Sequence, residues 1–185
     1  LHWRNIAVFV AIILAITIAL LLIGFFLKVD YVSFVKEFGA AGLFLIAFLS
    51  SSVFATFPHE PAIVFALTFL DPMQVFFAAV LGSTFAAIIN YWIGLSGVRR
   101  LLGFWIKREP AEEKQAEEWF KKHGSVVVFF APWIPFVGDP LTVVAGALKM
   151  GFKKYLFYSF AGRALKTLAV IYLGEFVLKF LGFPV

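Results

Sequence analysis

The 185-residue chain contains no cysteine. That excludes disulfides, thiol nucleophiles and cysteine-bound metal or redox centres. The only histidines, His2, His59 and His123, are scattered and give no metal-ligand spacing. Charge is scarce too: Asp, Glu, Lys and Arg together make up 15% of the residues. A soluble domain needs more polar surface than that. The net charge of +5 comes without a solvated basic face, so nucleic acid is not an expected partner. No nucleophile–base set and no phosphate-binding glycine loop is visible, so no enzyme, cofactor or metal is expected. Apolar residues are in excess: they account for 62% of the chain, with 25 Phe and a mean hydropathy of +0.95. Such a chain is an integral membrane protein.

The apolar stretches are unequal. Residues Ile6 to Leu27 form an uncharged run of 22, roughly 33 Å as a helix at about 1.5 Å per residue. It is too long for a signal-peptide core and reads as a retained first transmembrane helix. A region from Phe38 to Leu70 is broken by Ser50-Ser51-Ser52 and by Pro58-His59-Glu60-Pro61. It is too long for one span and too short for two. Residues Val75 to Leu95 make a clean span. The polar segment from Ser96 to Lys122 holds seven Lys and Arg against five Glu, and Pro110 opens a surface helix within it. A second broken region covers Ser125 to Met150, and a last span runs from about Tyr155 to Leu173.

The two broken regions correspond. Glu60-Pro61 and Asp139-Pro140 are followed by similar residues at an offset of 79, and Gly82 and Gly94 match Gly162 and Gly174 at an offset of 80. A broken apolar segment that enters and leaves on one side leaves one crossing per repeat, and an odd count turns the second repeat upside down. The expected fold is therefore an all-α integral membrane protein: an inverted-topology repeat with two opposed re-entrant helical hairpins plus about three full transmembrane helices. Its parts are an N-terminal helix (1–30), a first repeat (31–95), a cytoplasmic amphipathic linker (96–122), a second repeat (123–176) and a short tail (177–185). The basic linker places itself and the N-terminus in the cytoplasm. The expected location is the cytoplasmic membrane of a prokaryote.

A backbone break within lipid survives only where it is buried in protein or lines a wet cavity. Pro61 and Pro140 suit the first position of a half-helix, which would make Glu60 and Asp139 its caps, with Pro58, Pro135 and Gly138 helping to break the backbone. The plain reading of both acids is capping; the functional one is a proton- or cation-responsive gate. Arg163 and Lys166 lie three residues apart in the last span and so share a helical face. They either snorkel to the interface, pair with Glu60 or Asp139, or receive a phosphate. Asn90 is either interhelical glue or a ligand, and His59 is either a hydrogen-bonded structural residue or a titrating one.

Three segments then resemble one family: Phe57-Pro58-His59-Glu60, the stretch from Gly82 through Asn90-Tyr91-Trp92-Ile93-Gly94, and Trp133 through Gly138-Asp139-Pro140 to Gly146. They are similar to the DedA family of membrane proteins, also called the VTT-domain family, in its YqaA-like branch. The resemblance implies two opposed re-entrant hairpins and a role in moving polyprenyl-phosphate carriers or phospholipids between leaflets, in some members with dependence on the proton gradient. It places Glu60 on the family's functional glutamate. The chain also departs from the pattern. Many members carry arginines three residues either side of the second hairpin's proline, where Pro132 and Gly138 stand here, and an acid where Ala87 stands. Arg163 and Lys166 are the candidates to replace the missing cations.

The leading expectation is a lipid translocase handling an anionic headgroup, with protons or cations as candidate coupling partners. A proton- or sodium-coupled solute transporter and a non-transporting scaffold are the alternatives, and an oligomer is compatible with either.

Overall fold

The computed structural model describes residues 31–53, 59–98, 110–134 and 138–182. The apolar run of Ile6 to Leu27, Pro58 and Pro135 lie outside them. Six α-helices account for most of the described chain: α1 (Tyr31–Ser50), α2 (Glu60–Ala66), α3 (Pro72–Ile93), α4 (Pro110–Phe130), α5 (Gly138–Ala147) and α6 (Phe152–Phe180). A π-turn, Gly94–Val98, extends α3, and a 3₁₀ turn, Ala131–Trp133, follows α4. No strand occurs among the described residues. Three stretches are long and apolar enough to cross a membrane: Ser33–Ser50, Pro72–Ser96 and Phe152–Phe180. The chain is an integral membrane protein. Its outward residues fit that setting, with Phe77, Phe85 and Trp92 exposed on α3 and Phe157, Tyr172 and Phe176 on α6.

The first of these stretches is not a straight rod. Gly39 has φ 57° and ψ −135° inside α1, a left-handed conformation open to glycine and costly for other residues, and it kinks the helix there. At the far end α1 stops in the serine triplet. Ser50 Oγ donates to the carbonyl of Ala47, and a turn follows at 51–53. The linker and the second apolar region behave differently from that break, because α4 runs unbroken from Pro110 to Phe130. The last helix also outlasts the expected span, continuing to Phe180, where Lys179 and Glu175 form an i,i+4 pair.

In the first half α1 lies on α3, and in the second α4 lies on α6. Each short helix also reaches across to the other half: α2 packs on α6 as well as on α1, and α5 on α3 as well as on α4. The glycines show why close approach is feasible. A Cβ on Gly82 would come 2.3 Å from the carbonyl oxygen of Phe44 in α1, and one on Gly162 would come 2.1 Å from that of Phe129 in α4. Twelve residues on, a Cβ on Gly94 would meet the carbonyl of Val143 in α5 at 2.0 Å, and one on Gly174 would meet Val64 of α2 at 3.0 Å. So the first glycine of each span seats its own half's long helix, and the second seats the other half's short one. Small residues let helix backbones approach where no hydrophobic effect drives them together.

Candidate functional site

Both short helices carry their acid in the first turn. In α2, His59 is the residue before the helix and makes no side-chain cap bond; Glu60 and Pro61 follow it. In α5, Gly138 comes first, then Asp139 and Pro140. Glu60 thus stands one place further in than the capping reading expects and Asp139 two, and each carboxylate faces a cation. Proline is tolerated here because a first-turn N–H has no intrahelical acceptor.

The cations come from α6. Arg163 donates from Nη2 to Oδ1 of Asp139 at 2.9 Å, and Lys166 Nζ forms an ion pair with Oε1 of Glu60. The pairs differ in enclosure. The side chains of Arg163 and Asp139 are 5% and 19% exposed, those of Lys166 and Glu60 24% and 32%. The first is the more enclosed, with its arginine buried; the second opens onto the surface of the fold. One helical face therefore joins an acid from each half of the chain.

The cluster continues along α6. Tyr155, Ser159, Arg163 and Thr167 recur every fourth residue and are all buried. They form a polar stripe about 18 Å long at about 1.5 Å per residue. Tyr155 donates its hydroxyl to the carbonyl of Ala87 at 2.7 Å, and Tyr91, stacked on it at 4.6 Å, donates to that of Met150. Thr142 donates to the carbonyl of Asp139. Sequence reasoning missed Tyr155, Ser159 and Thr167, although four-residue spacing of polar groups in an apolar helix is the signal that finds them.

Asn90 is spent elsewhere. Its Oδ1 accepts from the amide of Val53 at 3.0 Å, and its Nδ2 donates to the carbonyl of Ser51 at 2.9 Å. It ties α3 to the break after α1. Gly138 has a steric role: a Cβ there would lie 2.0 Å from the carbonyl oxygen of Ala131. Among the described residues no group of three His, Asp or Glu side chains converges to hold a metal ion.

The match to known proteins covers this whole assembly. The VTT domain matches residues 57–176, from the first acid-proline turn to the end of the polar stripe and beyond. The chain belongs to the VTT-domain (DedA) family. Similar relatives include an alkaline phosphatase-like protein of Lactococcus lactis subsp. cremoris, 30% identical over 72% of this chain and 69% of the relative. Undecaprenyl phosphate transporter A of Staphylococcus aureus is 29% identical over 77% of this chain and 75% of its own. Inner membrane protein YqaA of Escherichia coli is 26% identical over 69% of this chain and 85% of its own. No solved structure matches the chain. The backbone crossing at Ala131 leaves no room for a side chain at position 138.

Proposed function

We propose that this VTT-domain protein moves a lipid with an anionic phosphate headgroup, such as a polyprenyl phosphate or a phospholipid, between leaflets. The observation that carries the reading is the convergence of Glu60 and Asp139, one from each half, on Lys166 and Arg163 of a single helix. The kink at Gly39 supports re-entry, because residues 40–50 beyond it span only about 16 Å at about 1.5 Å each, half of a bilayer core. The break at 51–53 and the return through α2 then make one hairpin. The 3₁₀ turn and the return through α5 make the other, inverted with respect to it. Exchange of short helices between the halves suits two hairpins entering from opposite faces. The segment 96–122 and the turn before α6, with Lys149, Lys153 and Lys154, lie in the cytoplasm under this reading.

The two cations and two carboxylates cancel. An added phosphate gains no net attraction unless a carboxylate swings away or takes up a proton. Translocation on this reading swaps the carboxylate of Glu60 for the headgroup, with a proton as the natural counter-charge. Glu60, in the more open pair, is the first to let go. The names of relatives agree with a membrane-lipid role: one is an undecaprenyl phosphate transporter.

The test is lipid movement in vesicles reconstituted with the full chain and a fluorescent short-chain phosphatidylglycerol, read by quenching of the outer leaflet. Accelerated quenching of the inner pool is expected, slowed by Glu60→Gln and Arg163→Ala. Movement no faster than in empty vesicles overturns the reading. Flux of inorganic phosphate along an imposed proton gradient, with lipids static, would assign the same groups to a soluble anion.

A further inference from the structure

Arg163 is only partly used by Asp139. Its guanidinium gives one hydrogen bond from Nη2, whereas its Nε is buried with no partner. The planar fork of an arginine ordinarily fills two parallel bonds with one oxyanion. Ser159, one turn earlier on the same face of α6, is 1% exposed, and its hydroxyl makes no well-formed hydrogen bond, with the Tyr155 hydroxyl alone beside it. Buried donors left unmade are uncommon and costly. Two of them side by side on the polar stripe, beside an ion pair, mark a place built for an acceptor.

We propose that Ser159 Oγ and Arg163 Nε form an oxyanion subsite for a non-esterified phosphate oxygen, occupied while Asp139 remains on Nη2. The proposal rests on the phosphate-headgroup reading above and adds a ligating residue and a division of labour. Both groups can donate, so a phosphate oxygen, which only accepts, satisfies the pair and asks nothing of the apolar surroundings. Lys166 offers no such fork: its ammonium is engaged by Glu60, and it acts as a point charge. Arg163 and Ser159 hold the headgroup, while the Lys166–Glu60 pair opens and closes the way to it.

The arginine Nε–H resonance of the full-length protein in nanodiscs reports on the subsite directly. Dihexanoyl phosphatidic acid is the probe, with inorganic phosphate as the comparison. Titration of phosphatidic acid is expected to shift the Arg163 Nε–H signal saturably. Ser159→Ala should weaken that binding roughly tenfold, the size of one charge-assisted hydrogen bond. Arg163→Lys, which keeps the charge without Nε, should weaken it at least as much. An Nε–H signal unmoved by saturating phosphatidic acid, or binding unaltered in folded Ser159→Ala, overturns the subsite. Inorganic phosphate binding as tightly as phosphatidic acid supports the subsite and overturns a lipid as its source. Lipid movement without any Nε–H response would defeat the subsite alone. A response without lipid movement would defeat the translocase reading and leave the subsite standing.

Discussion

Arg163 and Asp139 meet through a single pair of atoms, Nη2 and Oδ1, 2.9 Å apart, and both belong to a bundle whose outer faces are lined with Phe, Leu and Trp. With the arginine side chain 5% exposed, the pair carries a desolvation cost that its mutual attraction offsets only while both partners are present. Loss of the acid strands a buried cation. Asp139→Asn is therefore expected to lower the unfolding free energy by about 3–5 kcal/mol, measured by denaturant unfolding in micelles. Adding Arg163→Gln to it should recover most of that loss. A single variant as stable as the parent would remove the ion pair from any account of the fold.

The Glu60–Lys166 pair predicts the opposite balance. Its side chains are 32% and 24% exposed; facing a water-filled groove, under the translocase reading, the pair is screened and its net stabilisation is about 1 kcal/mol or less. Glu60→Gln should hardly change the unfolding midpoint, yet it should slow lipid movement roughly tenfold, about 1.4 kcal/mol of barrier. Equal losses of stability and movement would reduce Glu60 to a structural residue.

These expectations show which parts of the site were legible from the chain. The acid-proline pairs and the cations three apart on one helix are local patterns, and local patterns survive translation into structure. So do glycines at a fixed offset, because each position needs a small residue for the same packing reason in both halves. What stayed hidden depends on distant partners. Asn90 reaches Ser51 and Val53, and Tyr155 reaches Ala87; nothing in the spacing of either residue names its acceptor. The kink at Gly39 shows in the chain only as a glycine ahead of an apolar run; its positive φ is visible only in the structure. The acids were placed at the cap rather than in the first turn because helix rules weigh backbone N–H groups and not a lysine or arginine more than twenty residues away.

The interface of α3 with α5 has little slack. A Cβ on Gly94 would come 2.0 Å from the carbonyl oxygen of Val143, and one on Gly146 equally close to that of Tyr91. Overpacking of this kind costs about 1–3 kcal/mol. Gly94→Ala and Gly146→Ala are expected to lower the melting temperature in detergent by several degrees. Gly151→Ala, with nothing within 4 Å of the new carbon, should be neutral. A neutral result at both crowded positions would mean that α5 does not lie against α3 in the membrane.

The inverted arrangement proposed above makes a prediction about sides that stability cannot reach. Gln74 and Lys153 each lie in the first turn of a long apolar helix, and each is exposed. If both halves ran the same way, the two positions would face one compartment. With the halves inverted they face opposite ones, Gln74 outside and Lys153 in the cytoplasm beside the basic linker. The cysteine-free chain allows single thiols to be read without background. In intact cells a membrane-impermeant maleimide is expected to label Gln74→Cys and spare Lys153→Cys, and permeabilised cells should label both. Labelling of Lys153→Cys alone would invert the orientation and keep the hairpins opposed. Labelling of both thiols from outside would make the halves parallel. Glu60 and Asp139 would then enter from the same face, and the exchange of headgroup between two opposed gates would have no structural basis.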